Sequence, residues 1–278
     1  MKKFILGLFV VLLCLSLVFT GCAKKPEAPQ TPAPQSQTPA DDSWNRVKKD
    51  GKIVAGLDDA YPPMGYRNDK GELIGFDIDM GKEISKRIGV EIVWQPAVWD
   101  TIIPSITAKK FDIIISGMNI TEERLKEVNF AGPYGKAGQA LIVKTGNTAI
   151  TSLKDVKPDK LGTQSGSTGY DYAKANGFAD DKMKLYKEFP LAFKDLEIGR
   201  IDAVLVDAFN VKAFLDKMPG VFKTAGEVMG DDAVGIAVRK EDKALMEELN
   251  KAIAAMVKDG TLKALSEKWC GMDITAGL

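Results

Sequence analysis

Three short, almost unbroken apolar runs constrain this chain more than any other feature. They are KIVAGL at 52–57, FDIIIS at 111–116 and IDAVLV at 201–206. Each is too short for a helix, rich in β-branched residues and closed by a polar or turn-forming residue, the pattern of a strand buried on both faces. Between them lie segments of helical period. Residues 76–88 place apolar side chains at helical spacing with Gly89 as the stop, and 99–108 do the same after a strand at 90–94. The alternation resumes with strands at 139–143, 160–164 and 234–238, a helix from Asp207, and two amphipathic helices over 241–269. Strands alternating with helices at this spacing predict α/β units with a mostly parallel sheet. No repeat of 20 to 50 residues is present, so a solenoid is excluded.

The first two dozen residues are an address. Lys2 and Lys3 precede an apolar run from Phe4 to Phe19, and small residues then lead to Cys22. This is the order of a secretory signal. The stretch Val18-Phe19-Thr20-Gly21-Cys22 resembles a bacterial lipobox, in which the cysteine carries lipid and becomes the first residue; ordinary secretion, with Cys22 a chance thiol, is the alternative. Lys24 and Lys25 do not look like a folded start, and the stretch from Pro26 to Pro39 has no aliphatic or aromatic side chain larger than alanine. It cannot form a core; as polyproline II it would make a spacer of roughly 40–50 Å. The expected organisation is a leader over 1–21, a lipid-anchored linker over 22–43, and a folded body from Trp44. No other run is long enough to span a bilayer.

Composition narrows the chemistry. Lysine plus arginine and aspartate plus glutamate both number 38, so there is no basic excess for nucleic acid. Histidine is absent, which removes the commonest general base and metal ligand. No catalytic residue, metal or cofactor is expected. Of three cysteines, Cys14 falls in the leader and Cys22 at its end, leaving Cys270 without a disulfide partner.

Polar residues at strand ends are the candidates for binding, since open α/β sheets hold ligands at that crest. In Thr121-Glu122-Glu123-Arg124, Thr121 suits a helix N-cap and the acids suit the first turn, whereas a cation there opposes the helix dipole. Arg124 is either a surface arginine balanced by its neighbours or a planar fork for a carboxylate. Residues 164–169, QSGSTG, are either a capped turn or a nest of backbone N–H groups for an anion; the loop lacks the ending of a phosphate P-loop. Asp58 and Asp207 follow buried strands and serve either their own turns or a ligand's cationic groups. Tyr61 and Trp99 are core residues or flat walls for a carbon chain.

Five segments together resemble the polar amino-acid-binding proteins of ABC importers, solute-binding family 3: Gly75-Phe76-Asp77-Ile78-Asp79, Ile120 to Arg124, Asn129 to Tyr134, Gly199 to Ala203, and Asp259-Gly260-Thr261 with Lys268-Trp269. They run in order through nearly the whole body. The resemblance implies an α/β two-lobe periplasmic-binding-protein-like fold of type II with two hinge crossover strands. It places one lobe over 44–137 plus 235–270 and the other over 140–232. It further implies that Arg124 clamps a ligand carboxylate, helped by backbone N–H groups near Asn119 and Thr168. Asp207 and the Gly117 carbonyl would take the α-ammonium, with Gln164 and Ser167 in the facing turn. Tyr61 and Trp99 would enclose the side chain, and Asp58 would meet its far end. Asn119, Gln164, Gly169 and Val206 depart from the family's common residues, so the headgroup clamp is better specified than the side-chain pocket. Asp58 disfavours acidic ligands and leaves arginine, lysine, ornithine or glutamine, with a cationic one favoured. The implied partners are a free L-amino acid and an importer permease, with membrane contact through the lipid alone and the protein a monomer. Alternatives are an enzyme resembling cyclohexadienyl dehydratase on the same scaffold, which needs a cleft carboxylate as general acid, or a ligand-sensing module, which would continue past Leu278 into signalling parts.

Overall fold

The computed structural model describes residues 41–278; the leader, Cys22 and the linker up to residue 40 lie outside the described residues. Helix Ser43–Asp50 opens the fold, with Ser43 buried and its Oγ accepting from the Leu245 N–H. Arg46 ties this helix to Asp112 at 2.7 Å, and Asp112 also meets the buried Arg239 at 3.3 Å. No helix among the described residues is long and apolar enough to cross a membrane.

Eight strands form one sheet in the order Glu91–Pro96, Lys52–Leu57, Ile113–Ile114, Phe222–Arg239, Val128–Lys144, Ala203–Asp207, Leu161–Gln164, Lys184–Tyr186. Pairings at the two outer thirds are parallel, as the alternating pattern predicts. The sheet is nonetheless mixed rather than mostly parallel, because the two central strands are antiparallel to each other and to their neighbours. These two are also far longer than expected, 17 and 18 residues. Only their apolar ends are visible as strands in the sequence. Their middles carry Gly132, Pro133, Gly135, Lys136, Gly138 and then Gly230, Asp231, Asp232, which break any two-residue alternation.

Those middles are where the ladder slips. Register shifts fall between Ala225 and Met229, Met229 and Asp232, and Val234 and Ile236. On one side of the irregular zone, Ala237 and Val238 pair with Ile113–Ile114; on the other, Gln139 to Val143 pair with Ala203–Asp207. The result is the two-lobe α/β type II fold, two half-sheets joined through a pair of crossover strands. Irregular, glycine-bearing ladders twist and bend more readily than regular ones.

Helix Phe76–Ile88 packs Phe76, Met80 and Ile84 into the first half-sheet and ends at Gly89, whose left-handed backbone lets its N–H reach the Ser85 carbonyl. The terminal helices Lys243–Lys258 and Thr261–Cys270 lie against it. Asp79 accepts from Trp269 Nε1 at 2.9 Å and Lys268 Nζ at 2.6 Å, and Arg87 pairs with Asp259 at 2.8 Å. Two segments nearly 190 residues apart are thus one packed contact. The strand expected over 111–116 contributes only Ile113–Ile114 to the ladder, although Asp112 N–H and Ile115 N–H still bond to Val54 and Gly56 of the neighbouring strand.

Candidate functional site

Strands Lys52–Leu57, Ile113–Ile114, Leu161–Gln164 and Ala203–Asp207 deliver their C-terminal ends to one region. Asp58 follows the first, Ser116 and Gly117 the second, and the 165–168 turn the third; Asp207 ends the fourth. All ten residues singled out from the sequence gather there. Tyr61, Trp99, Gly117, Asn119, Gln164, Ser167, Thr168 and Asp207 line a single cavity of about 10 Å³. Arg124 forms the wall of an adjoining cavity of about 80 Å³ together with Trp99 and Gly166. Asp58 joins the set by accepting from Gln164 Nε2 at 2.7 Å. The inner cavity has room for about one water molecule, so a larger occupant requires the walls to part.

Arg124 lies in the first turn of helix Glu122–Glu127, whose cap is Thr121 Oγ1 accepting from the Arg124 N–H at 3.2 Å. Its side chain is not the surface group that one sequence reading allowed; it is 7% exposed. Nη1 donates to the Asn119 carbonyl at 2.9 Å, Nη2 donates to the Gly166 carbonyl at 3.2 Å, and the guanidinium sits 5.2 Å from the Trp99 ring centre. All three partners are neutral. Burial pulls the pKa of Arg124 below its ordinary value, opposed by the charges of Asp207 and Asp171. A fork so placed retains donor capacity and lacks a counter-charge in contact.

Asp207 does not cap the helix that follows it. It is buried, and it accepts from the Tyr61 hydroxyl and from Gln139 Nε2 at 2.7 Å, with Thr168 Oγ1 at 3.3 Å. Burial raises its pKa, while Tyr61, Gln139 and the Arg124 charge act the other way. Tyr61 is itself held well above the ordinary phenol range by burial and by the adjacent carboxylate. Its ring stacks on Phe189 at 5.7 Å, meets Phe209 edge-on at 5.9 Å and lies 6.4 Å from Trp99 at a tilt of 30°.

The 164–169 segment is the capped turn of the first sequence reading, and what it turns toward the site is a carbonyl rather than a nest of N–H groups. Ser167 is a helix cap, accepting from Tyr170 N–H and donating to the Gln164 carbonyl. The Gly166 carbonyl, however, turns toward the site and accepts from both Trp99 Nε1 and Arg124. Thr168 Oγ1 lies 3.1 Å from Asn119 Oδ1, and the Asn119 Nδ2 group is buried without a partner.

Sequence reasoning missed Gln139, Phe189, Phe209 and Asn210. Gln139 is a lone amide in the apolar end of a crossover strand and orients both Asp207 and Thr168. That isolation was the available signal. Asn210 is fully buried and donates to the Pro62 carbonyl; its position in a 3₁₀ turn gave no periodic cue. No group of three or more metal-ligating side chains occurs among the described residues.

Comparison with known proteins places this geometry in context. A family model described as bacterial extracellular solute-binding proteins, family 3, matches residues 53–272. An L-cystine-binding protein of Escherichia coli is 36% identical over 232 residues, covering 83% of this chain and 87% of its own. A solved ancestral arginine-binding protein bound to glutamine is 43% identical with a TM-score of 0.74, over 80% of this chain and 99% of that one. A solved ancestral amino acid-binding protein, described as a precursor of cyclohexadienyl dehydratase, is 37% identical with a TM-score of 0.74, over 81% and 98% of the two chains.

Asp58 supplies a pH signature. Burial raises its pKa from 3.8 to about 6, with Gln164 and Ala60 pulling it down and Glu188 and Asp59 adding to the rise. A carboxyl whose folded-state pKa exceeds its unfolded value favours folding most below pH 4, and that contribution is lost as pH rises to about 6. We predict that Asp58→Asn removes this loss: between pH 3.5 and 7, the stability of the variant in urea should gain about 3 kcal/mol on the parent. Parallel pH profiles for the two proteins would contradict this.

Proposed function

Since the chain belongs to the bacterial extracellular solute-binding proteins of family 3, we propose that it captures a free polar amino acid by lobe closure and delivers it to an ABC importer. The observation that carries this reading is the desolvated Arg124 guanidinium, bonded only to carbonyls, with Asp207 in the same cluster. A zwitterion answers both needs: its carboxylate completes the arginine's ion pair and its ammonium meets Asp207 and the Gly117 carbonyl. The names of the relatives, which bind cystine, arginine or glutamine, agree with that headgroup. The relative described as a precursor of a dehydratase is itself called an amino acid-binding protein, so it favours binding over catalysis.

The side-chain end of the pocket is acidic. Asp58, the Lys187 carbonyl reached through Gln164, and the nearby Glu188 charge offer acceptors and negative potential. A guanidinium or ammonium tip satisfies them, and a glutamine amide satisfies part of them; a carboxylate tip would be repelled. Tyr61 and Trp99 cover the intervening methylenes. Residues 44–137 with 235–270 act as one lobe and 140–232 as the other, hinged on the irregular middles of the crossover strands. Closure excludes water and strengthens each charge pair, and a ligand shifts the lobes only as far as it prefers the closed form. Cys22 carries the lipid that holds the mature protein at the membrane, with the linker over 22–43 as the tether. Intact mass of the membrane fraction tests the anchor: a diacylglyceryl-bearing Cys22 at the N-terminus supports it, and cleavage elsewhere or a free thiol refutes it.

A thermal-shift screen of the twenty amino acids with ornithine, citrulline and cystine tests the function. A ligand at a hundred times its Kd should raise the melting temperature by roughly 5–10 °C, with arginine, lysine, ornithine or glutamine the largest. Arg124→Ala and Asp207→Asn should each weaken binding at least 100-fold, since each strips a buried charge partner. Arg124→Ala should not lower the melting temperature of the free protein, because the cation it removes has no counter-charge in contact. Retention of the parent's ligand-induced shift by either variant would show that its residue has been misassigned.

A further inference from the structure

One buried carboxylate lies outside the cavity yet bonds to its wall. Asp77, in the first turn of helix Phe76–Ile88, is completely buried. Its Oδ2 accepts from the Gly117 N–H at 2.7 Å. The Gly117 N–H also donates to the Tyr134 hydroxyl, itself fully buried, at 3.1 Å. Asp77 Oδ1 has no partner. A buried acid with one oxygen unused is costly, and Phe76, Met80 and Ile84 on the same helix already anchor it to the core.

Gly117 shows what the cost obtains. Its φ is +57°, and a Cβ there would lie 2.8 Å from Tyr61 Cε1, 3.1 Å from Met64 Cγ and 3.3 Å from Phe209 Cζ. The position must therefore be glycine, the residue with least intrinsic preference for any one conformation. External anchors have to fix it. On its C-terminal side the chain is pinned by Gly235 N–H donating to the Met118 carbonyl at 3.0 Å and by a bridge between Asn119 and Val234. On its N-terminal side Ser116 Oγ accepts from the Asp58 N–H at 3.0 Å, and Gly117 N–H itself goes to Asp77. Removing Asp77 frees the Ser116–Gly117 peptide and with it the φ of Gly117, so the Gly117–Met118 peptide that carries the carbonyl keeps only its C-terminal anchors.

We propose that Asp77 is a positioning residue for the ligand's α-ammonium: by holding the Gly117 N–H with Tyr134, it aims the Gly117 carbonyl into the cavity. This rests on the amino-acid-binding reading above. The carboxylate never touches the ligand; it sets the direction of the carbonyl that does. Glycine alone cannot hold that direction, and without Asp77 the N–H keeps only the longer of its two bonds, 3.1 Å to the Tyr134 hydroxyl against 2.7 Å to Asp77.

The test compares the tightest amino acid from the screen with its deamino analogue, which has hydrogen in place of the α-ammonium. Both are titrated calorimetrically into the parent, Asp77→Leu and Asp77→Asn. Leucine removes the acceptor while keeping the branched shape, with methyls in place of the two oxygens. Asparagine keeps an acceptor and places its NH₂ where Oδ1 has no partner. Asp77→Leu should bind the amino acid at least 30-fold more weakly but the deamino analogue within about threefold of the parent. Asp77→Asn should restore the amino acid to within about fivefold, and Gly117 amide exchange should quicken at least tenfold in the leucine variant only. Asp77→Ser, too short to reach Gly117, gives the same contrast if the leucine variant fails to fold. Unchanged binding of the amino acid, or equal loss of both ligands, overturns the positioning role and leaves the amino-acid reading intact. Absence of amino-acid binding by the parent itself overturns both.

Discussion

The site is organised around a cation largely withdrawn from water. Arg124 is enclosed by Trp99, the Asn119 carbonyl and the Gly166 carbonyl, which orient a guanidinium well but cannot neutralise it. Burying a charge without a counter-charge is among the more expensive arrangements in a folded protein. It persists because the surrounding elements are held by interactions that do not involve it. The Thr121 cap fixes the turn that carries it, and the bond from Trp99 Nε1 to the Gly166 carbonyl fixes the ring beside it. What remains on the guanidinium is unspent capacity for an anion, and an anion that also carries an ammonium satisfies Asp207 as well.

The same economy of anchoring recurs away from the arginine. Gln139 fixes Asp207 from the crossover strand, Asp77 fixes Gly117 from a helix, and Asp79 fastens that helix to Lys268 and Trp269 at the far end of the sequence. Asp207 and Gly117 thus each have a buried partner outside the cavity that holds them in place. The crossover strands join the two half-sheets through their least regular stretch, where the ladder slips. Irregular ladders of this kind bend more readily than regular ones.

Much of this was legible from residues alone, for identifiable reasons. KIVAGL and IDAVLV are buried on both faces, so their hydrophobicity needs no partner to be read, and the polar residue ending each marks the crest. Helix Phe76–Ile88 announces itself through period and a glycine stop. The crossover strands were half hidden because their central residues are glycine, proline and acids, chosen for bending rather than for packing. The mixed pairing was hidden because burial looks the same in parallel and antiparallel neighbours. At the site, Arg124 stood out by violating helix-dipole preference and Gln139 by its isolation in an apolar strand end, whereas Asn210 breaks no local rule and gains its meaning only from what the fold brings opposite it. The Gly166 carbonyl could not be foreseen: a glycine-rich turn offers N–H and C=O alike, and tertiary packing decides which faces inward.

The central claim is that one guanidinium and one opposed acid grip the two ends of an amino acid headgroup. A crystal structure of the mature protein grown with its tightest amino acid tests it most directly. The account predicts the ligand carboxylate paired with the Arg124 fork and its ammonium within hydrogen-bond distance of Asp207 and the Gly117 carbonyl, between Tyr61 and Trp99. A ligand bound in the reverse sense, or seated away from Arg124 and Asp207, would contradict it.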